Sequence, residues 1–133
     1  MEPSGLQFMS SLKTLYNIGK VNIDAKVGTP LLLGSTEDGT QKFWTLLGAV
    51  GVRAASGVTV VPALNIGTNA PLYNNIVSGQ VMTGLDELDK SLKLNLSSAY
   101  SIIASDTDIY VNFTTIAVGT ELKLDIFLYG NYN

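Results

Sequence analysis

The chain has 133 residues, of which 46% are hydrophobic and 14% are charged, and it contains neither cysteine nor histidine. That length suits one domain with a full hydrophobic core, while the missing residue types exclude thiolate chemistry, histidine acid–base catalysis and the usual zinc or copper ligand sets. The formal net charge of -3 is mild, and the sequence has no basic stripe of the kind that nucleic-acid binding requires.

The low charge content predicts a partly covered surface. An average soluble domain is about 25% charged, well above this chain. We therefore expect other copies or a partner to cover part of the exterior. No apolar run approaches the roughly 20 residues of a membrane helix, and the first residues lack the pattern of a secretion signal. We expect no membrane partner and synthesis in the cytoplasm.

Residues 1–20 are predicted to form an N-terminal arm ahead of one domain over residues 21–133. Within the arm, residues 5–17 place apolar side chains near helical spacing, so this segment is a candidate helix. Residues 84–91 are a second candidate, a single turn with acidic residues near its start, where they suit the positive end of a helix dipole. The rest of the chain has the pattern of strands.

The first strands are predicted upstream of residue 67. Residues 20–27 alternate apolar and polar side chains, and Asp38-Gly39 is a strong hairpin-turn signal between the next two strands. The run from Phe43 to Ala55 is almost entirely apolar, which predicts a central strand covered on both faces. Pro62 interrupts the strand that follows, which indicates a sheet edge or a bulge.

The later strands show period-two alternation, which is typical of half-buried antiparallel strands. A short strand over 71–82 precedes three clear ones over 91–97, 108–114 and 121–129, and residues 116–120 are predicted to be a hairpin connection. The residues expected to face inward are Leu92, Leu94, Leu96, Ile109, Val111, Phe113, Leu122, Leu124, Ile126 and Leu128. About eight strands with frequent turns predict an all-β fold, an antiparallel β-sandwich of the jelly-roll type.

Two acidic groups are the only candidates for metal binding or catalysis. Asp86, Glu87 and Asp89 form one group, and Asp106 and Asp108 form the other. Carboxylates bind calcium, and a carboxylate pair can hydrolyse glycosides. However, no twelve-residue calcium loop with a closing glutamate is present, and Ser and Thr, not aromatic walls, surround the second group. The sequence therefore predicts solvated turns, with no catalytic residue, no metal, no cofactor and no enzymatic activity.

The polar stretch over residues 64–85 is predicted to have a structural role. Gly67, Asn69 and Gly79 tolerate positive φ, and a nearby proline presets a turn, so the stretch is predicted to be a corner between strands.

The aromatic residues are predicted to lie in the core or at a subunit interface. Trp44 in its apolar run is predicted to belong to the core, although stacking on a ligand is the alternative. The tail "FLYGNYN" is predicted to present aromatic side chains on the strand face opposite the leucines, as a subunit interface: Phe127, Tyr129 and Tyr132.

The order of these segments resembles small jelly-roll or β-sandwich virion proteins of tailed bacteriophages. The resemblance covers roughly residues 27–130 and is most specific in Ile66-Gly67-Thr68-Asn69, in Tyr73-Asn74-Asn75-Ile76 and in Asp108-Ile109-Tyr110-Val111-Asn112. It implies a capsid decoration (cement) protein, a homotrimer that binds the major capsid protein on the outer face of the head. The implied location is the capsid surface of the virion, after synthesis in the host bacterial cytoplasm.

The resemblance also implies roles for the arm and leaves one alternative open. Arms of such proteins reach along the shell, which here gives a capsid-contact arm with these anchors: Leu6, Phe8, Met9, Leu12 and Leu15. The alternative is a tail- or fibre-associated module that binds a carbohydrate or receptor. That module would use aromatic and amide side chains around Tyr73, Asn74 and Asn75 or over residues 129–133.

Overall fold

The computed structural model describes residues 12–14, 27–36, 43–97 and 101–132, and at 12–14, 43–50, 101–102 and 129–132 it describes the backbone alone. Within these ranges the chain forms nine strands and no helix. All pairings between strands are antiparallel. The prediction of an all-β antiparallel fold is confirmed, and the described residues include two short strands, at Leu12–Thr14 and Ser101–Ile103, that the pattern did not indicate.

The nine strands vary widely in length. The longest two pair with each other along nearly their whole lengths, from Ser56 beside Glu121 to Phe43 beside Tyr132. In chain order the strands are β1 (Leu12–Thr14), β2 (Leu31–Ser35), β3 (Phe43–Ser56), β4 (Ala63–Gly67), β5 (Val77–Val81), β6 (Ser91–Lys93), β7 (Ser101–Ile103), β8 (Asp108–Thr115) and β9 (Glu121–Tyr132).

The strands form two sheets that pack face to face. Sheet A has the order β1-β9-β3-β6, with β7 also paired to β3, and sheet B has the order β2-β8-β4-β5. Their inner faces share one core, whose fully buried members come from both sheets, as expected of a sandwich. These include Ile109, Val111 and Phe113 of β8 and Leu122, Leu124, Ile126 and Leu128 of β9. The β-sandwich prediction is confirmed.

Alternation along β8 and β9 follows the predicted faces. The outward side chains between the buried leucines of β9 are only half-buried. Burying one leucine fully contributes about 1.5–3 kcal/mol relative to leaving it in water. A slip of one residue in either strand would therefore exchange several such side chains for polar ones. The sequence pattern therefore fixes which face of each strand is buried.

Both predicted hairpins are wrong. Residues 36–42 connect β2 of sheet B to β3 of sheet A, and residues 116–120 connect β8 of sheet B to β9 of sheet A. Asp38-Gly39 itself lies outside the described residues. A turn signal reports only that the chain reverses, whereas the partner of each strand is set by which sheet can bury its apolar face. Each connection therefore crosses between the sheets.

The apolar strand β3 is central, as predicted, because β9 pairs along one side and β6 and β7 pair along the other. Its outer face is not fully covered within this chain, since Arg53 is exposed while Val52 is buried. The backbone at Trp44 belongs to this strand, and its side chain lies outside the description. Pro62 directly precedes β4, where the register with β8 shifts after Ala63, which agrees with the predicted bulge.

The N-terminal prediction is corrected at three positions. Leu12–Thr14 is an extended strand paired with β9, not part of a helix. The open backbone hydrogen-bonding groups of β9 give this short segment partners that its own side-chain spacing does not reveal. These three residues thus belong to sheet A. The other residues of the predicted arm lie outside the description, as do residues 20–26 of the strand predicted over 20–27. Residues 84–91 form turns up to β6 without a helix. None of the described segments is a helix that could cross a membrane.

Candidate functional site

The outer face of sheet B is built on alternate residues of β8. Ile109, Val111 and Phe113 point into the core, so the residues between them point outward. Register pairs Tyr110 with Leu32 of β2 and with Gly67 of β4, and it pairs Asn112 with Asn65. Aromatic, aliphatic and amide side chains therefore meet on one surface.

Two buried asparagines fasten a loop to this face. The Nδ2 atoms of Asn65 and Asn112 both donate to the carbonyl oxygen of Leu72, at 3.1 and 3.2 Å. The Oδ1 atom of Asn65 also accepts from the backbone N–H of Gly79 at 2.7 Å. Of the described side chains, Asn112 Oδ1 is the buried polar atom without a hydrogen-bond partner. These bonds hold residues 68–76 against the sheet.

The loop over 68–76 is also ordered by its own amides. Asn69 Oδ1 accepts from the N–H groups of Asn74 and Asn75, at 2.8 and 3.1 Å. Asn75 accepts from the N–H of Thr68 and donates to its hydroxyl, at 2.8 and 2.9 Å. Asn69 Nδ2 donates to Asn74 Oδ1 at 2.9 Å. The predicted corner is thus a connection between paired strands β4 and β5, held in one shape by amide side chains.

Gly67 is required by a close approach and not by the positive φ that the sequence suggested. A Cβ atom built at this position would lie 2.6 Å from the carbonyl carbon of Tyr73 and 2.8 Å from the nitrogen of Asn74. Real Cβ contacts at such distances are essentially absent, and these atoms are backbone that cannot step aside. The positive φ predicted for Gly79 is present, at 61°. The end of β4 therefore accepts the returning loop only because residue 67 has no side chain.

An aromatic patch lies over this framework, defined here as Leu32, Leu72, Tyr73 and Tyr110. The rings of Tyr73 and Tyr110 have centroids 4.8 Å apart and are tilted by 40°. Both tyrosines are half-buried, whereas Leu32 and Leu72 are 52% and 56% exposed. None of the four is an aspartate, glutamate, lysine or arginine. The patch can therefore bury largely apolar surface against a partner.

Acidic residues border the patch at one end. Asp108, two residues before Tyr110, accepts a hydrogen bond from the hydroxyl of Ser35 at 2.5 Å. The turn that precedes it is held by Thr36, whose hydroxyl donates to the Ala104 carbonyl at 2.7 Å and accepts from the Thr107 N–H at 2.9 Å. Asp106 and Asp108 are exposed. Asp106 and Asp108 therefore form an acidic rim beside the patch, and hydrogen bonds hold the turn and the Asp108 side chain in place.

The two acidic groups of the sequence do not meet. Asp86, Glu87 and Asp89 follow the end of β5, whereas Asp106 and Asp108 lie where β8 begins, at the opposite end of sheet B. Within the described ranges, no three carboxylates come close enough together to bind a metal ion. The predictions of no catalytic residue and no cofactor remain predictions.

The residues predicted as contacts are only partly described. Leu6, Phe8, Met9 and Leu15 lie outside the description, and Leu12 is described as backbone of β1. Phe127 lies on the outer face of β9, half-buried and opposite Ala49. At Tyr129 and Tyr132 the backbone alone is described.

The prediction that Phe127, Tyr129 and Tyr132 share one face of β9 as a subunit interface stays a prediction.

Sequence reasoning missed the aromatic patch, except for Tyr73 in the alternative carbohydrate site. Tyr110 alternates with the core residues of β8, which marks it as outward-facing. Nothing local indicates that Leu72 and Tyr73 return over that strand, because the return depends on hydrogen bonds between residues up to 40 positions apart.

Comparisons with protein-family models, with curated proteins and with solved structures each find no match for this chain.

Proposed function

We propose that this chain is a structural virion protein, a capsid decoration (cement) protein that binds the outer face of a phage head as a homotrimer. The observation that carries the proposal is that the three most specific segments of the resemblance meet in sheet B, through buried residues and on its outer surface. Ile66 pairs with Val111, and the N–H of Ile76 donates to the carbonyl oxygen of Ile66 at 3.0 Å. The ring contact between Tyr73 and Tyr110 joins the remaining parts.

The character of that surface favours binding over catalysis. Aromatic side chains are enriched at the centres of protein interfaces, and charged ones are depleted there. The loop that carries Leu72 and Tyr73 is already ordered by amide hydrogen bonds, so docking does not have to order it. Preorganisation of this kind lowers the entropy cost of association.

We include the jelly-roll arrangement in the proposal. Successive strands β1 to β4 alternate between sheets A and B, and β8 and β9 do so again. The two strand orders, β1-β9-β3-β6 and β2-β8-β4-β5, are those of two interleaved Greek keys if β7 is treated as an addition. This order supports the fold that the resemblance implies.

The homotrimer is proposed to use the outer face of β9 around Phe127. Along the outer face of β9, Phe127 follows the charged residues Glu121, Lys123 and Asp125. The last of these forms an ion pair with Arg53 at 2.7 Å, so the charged part of this face ends beside Phe127. We expect the mass in solution to be three times that of the chain, and Phe127→Ser to shift it toward the monomer. Light scattering measures both. Leu88→Ser, which changes an exposed side chain in the turns before β6, is the matched control.

The mechanism is additive. Each docked subunit contributes a modest contact to the major capsid protein, and the three subunits of a trimer engage neighbouring positions of the lattice together. Linked contacts of this kind raise the overall affinity by factors of about 10² to 10⁴ without any new interaction. The trimer would thereby tie adjacent capsid subunits together on the capsid surface.

Co-sedimentation tests the proposal. Purified protein is mixed with undecorated heads of the virus that carries its gene, the heads are pelleted, and bound copies are counted. We expect saturable binding at a fixed ratio of trimers to capsid subunits, and no uptake by heads that are already decorated. Protein that stays in the supernatant at every concentration would contradict the proposed function.

The carbohydrate-binding alternative has less support from the geometry. It requires free amide groups beside an aromatic ring, whereas both amide atoms of Asn75 and the side-chain oxygen of Asn74 are engaged in hydrogen bonds within the loop. Its second location, residues 129–133, is described at most as backbone. A tail or fibre location therefore stays a prediction without a specific observation in its favour.

A further inference from the structure

The aromatic patch and its acidic rim lie on the same face. Asp108 and Tyr110 are alternate residues of β8, and Ser35 and Leu32 are their partners on β2. The hydroxyl of Ser35 holds the Asp108 carboxylate in place at 2.5 Å. Asp106 is exposed in the adjoining turn. A partner that covers the two tyrosine rings would therefore approach a fixed negative charge at the same time.

Sheet B does not balance that charge from its own strands. β2, β4, β5 and β8 contain no lysine or arginine. Four lysine or arginine side chains are described: Arg53 is 2.7 Å from Asp125, Lys123 is 3.5 Å from Glu121, Lys90 is 3.9 Å from Glu87, and Lys93 is exposed on β6 of sheet A. A second copy of this chain carries a net charge of -3, so charge complementarity at the acidic rim favours a different, basic protein surface.

We propose that this face docks on a foreign protein surface that places an apolar side chain over the Tyr73–Tyr110 pair and a lysine or arginine against Asp108. The inference rests on the proposed function, in which that surface belongs to the capsid. Leu32 and Leu72 flank the tyrosine pair and supply the exposed apolar area. An arginine is the better match because its planar guanidinium can donate two hydrogen bonds to one carboxylate.

The two parts of the surface have separable effects. Apolar and aromatic contacts at the centre of an interface supply most of the affinity and slow dissociation. A charge pair at the rim mainly accelerates association, and salt screens it. Binding should therefore weaken as salt rises, and the part of this dependence that comes from Asp108 should disappear when the carboxylate is removed.

The experiment measures the affinity of four variants for undecorated heads at low and high salt. Leu32→Ser should weaken binding by about tenfold at both salt concentrations. Asp108→Asn, which keeps an acceptor for Ser35, should weaken it by about threefold to tenfold at low salt and should reduce the salt dependence. The matched controls are Val118→Ser and Asp86→Asn, which change exposed residues outside the patch and its rim. Both should bind within about twofold of the unchanged protein.

Three other outcomes are possible, and each would contradict a different part of the proposal. If the unchanged protein binds heads but Leu32→Ser and Asp108→Asn bind equally well, this docking face is wrong while the proposed function stands. If Leu32→Ser abolishes the trimer, the face joins copies of this chain and the foreign partner is wrong. If the unchanged protein does not bind heads, the proposed function fails first. Melting curves show that each variant is folded, and Asp108→Asn serves if Leu32→Ser is not.

Discussion

At residue 67 the end of one strand and the loop that returns over it meet so closely that no side chain fits between them. The obstructing atoms belong to the backbone of Tyr73 and Asn74. The loop there is fastened by Asn65 and Asn112 below and by Asn69 within. A small change at residue 67 therefore acts on the whole surface that carries Tyr73.

We expect Gly67→Ala to lower the free energy of unfolding by about 1–3 kcal/mol, because the added methyl group forces the loop away from β4. Urea denaturation measures this change. Gly51→Ala is the matched control, since a Cβ at position 51 meets no atom within 4 Å. Equal stability of the two variants would contradict the close approach of the loop to residue 67.

The two buried asparagines should differ in their effect on stability. Asn65→Leu removes a donor to Leu72 and leaves the N–H of Gly79 without its acceptor, which should cost about 1–3 kcal/mol of unfolding free energy. Asn112→Leu removes one long hydrogen bond together with an oxygen that has no partner, and Leu72 keeps its bond from Asn65. We expect this second change to cost less than about 1 kcal/mol. Thermal or urea unfolding measures which variant loses more stability. A greater loss for Asn112→Leu than for Asn65→Leu would refute the hydrogen bonds assigned to the two side chains.

At the scale of elements, β9 contributes both strand pairing and core packing to sheet A. It pairs with β1 on one side and with β3 on the other, and every second residue from Leu122 to Leu128 is fully buried. Its outward positions carry charges or Phe127. The strand therefore supplies core packing on one face and contact chemistry on the other.

Leu124→Ala should destabilise the protein by about 2–5 kcal/mol, because it leaves a cavity in the shared core. The adjacent change Lys123→Ala should cost less than about 0.5 kcal/mol, since its ion pair with Glu121 is largely solvated. Denaturation of both variants provides the comparison. Similar losses at the two positions would contradict the assigned faces of β9.

The elements also show what the sequence could and could not predict. Alternation gave the faces of β8 and β9 because burial depends on side-chain parity, which is local information. The partners of β2 and β8 were predicted wrongly because pairing is decided by both sheets together. β1 escaped detection because three residues carry too little periodicity. The aromatic patch depends on contacts between Leu72 and Asn112, which are distant in sequence.

At the scale of the whole molecule, the sandwich presents two surfaces with different chemistry. The outer face of sheet B carries the aromatic patch and an acidic rim, whereas the outer face of β9 carries ion pairs and Phe127. In the proposed arrangement the first faces the capsid and the second joins subunits. Separate surfaces allow each trimer to hold several capsid subunits at once.

The most direct test of this account is the temperature at which DNA-filled heads open, measured with and without the purified protein. We predict that undecorated heads release their DNA at a lower temperature, and that adding the protein to saturation raises the release temperature. Asp86→Asn should raise it equally, since that residue lies outside both proposed contacts. An unchanged release temperature, with the protein folded and present in excess, would contradict the claim that this chain stabilises a capsid.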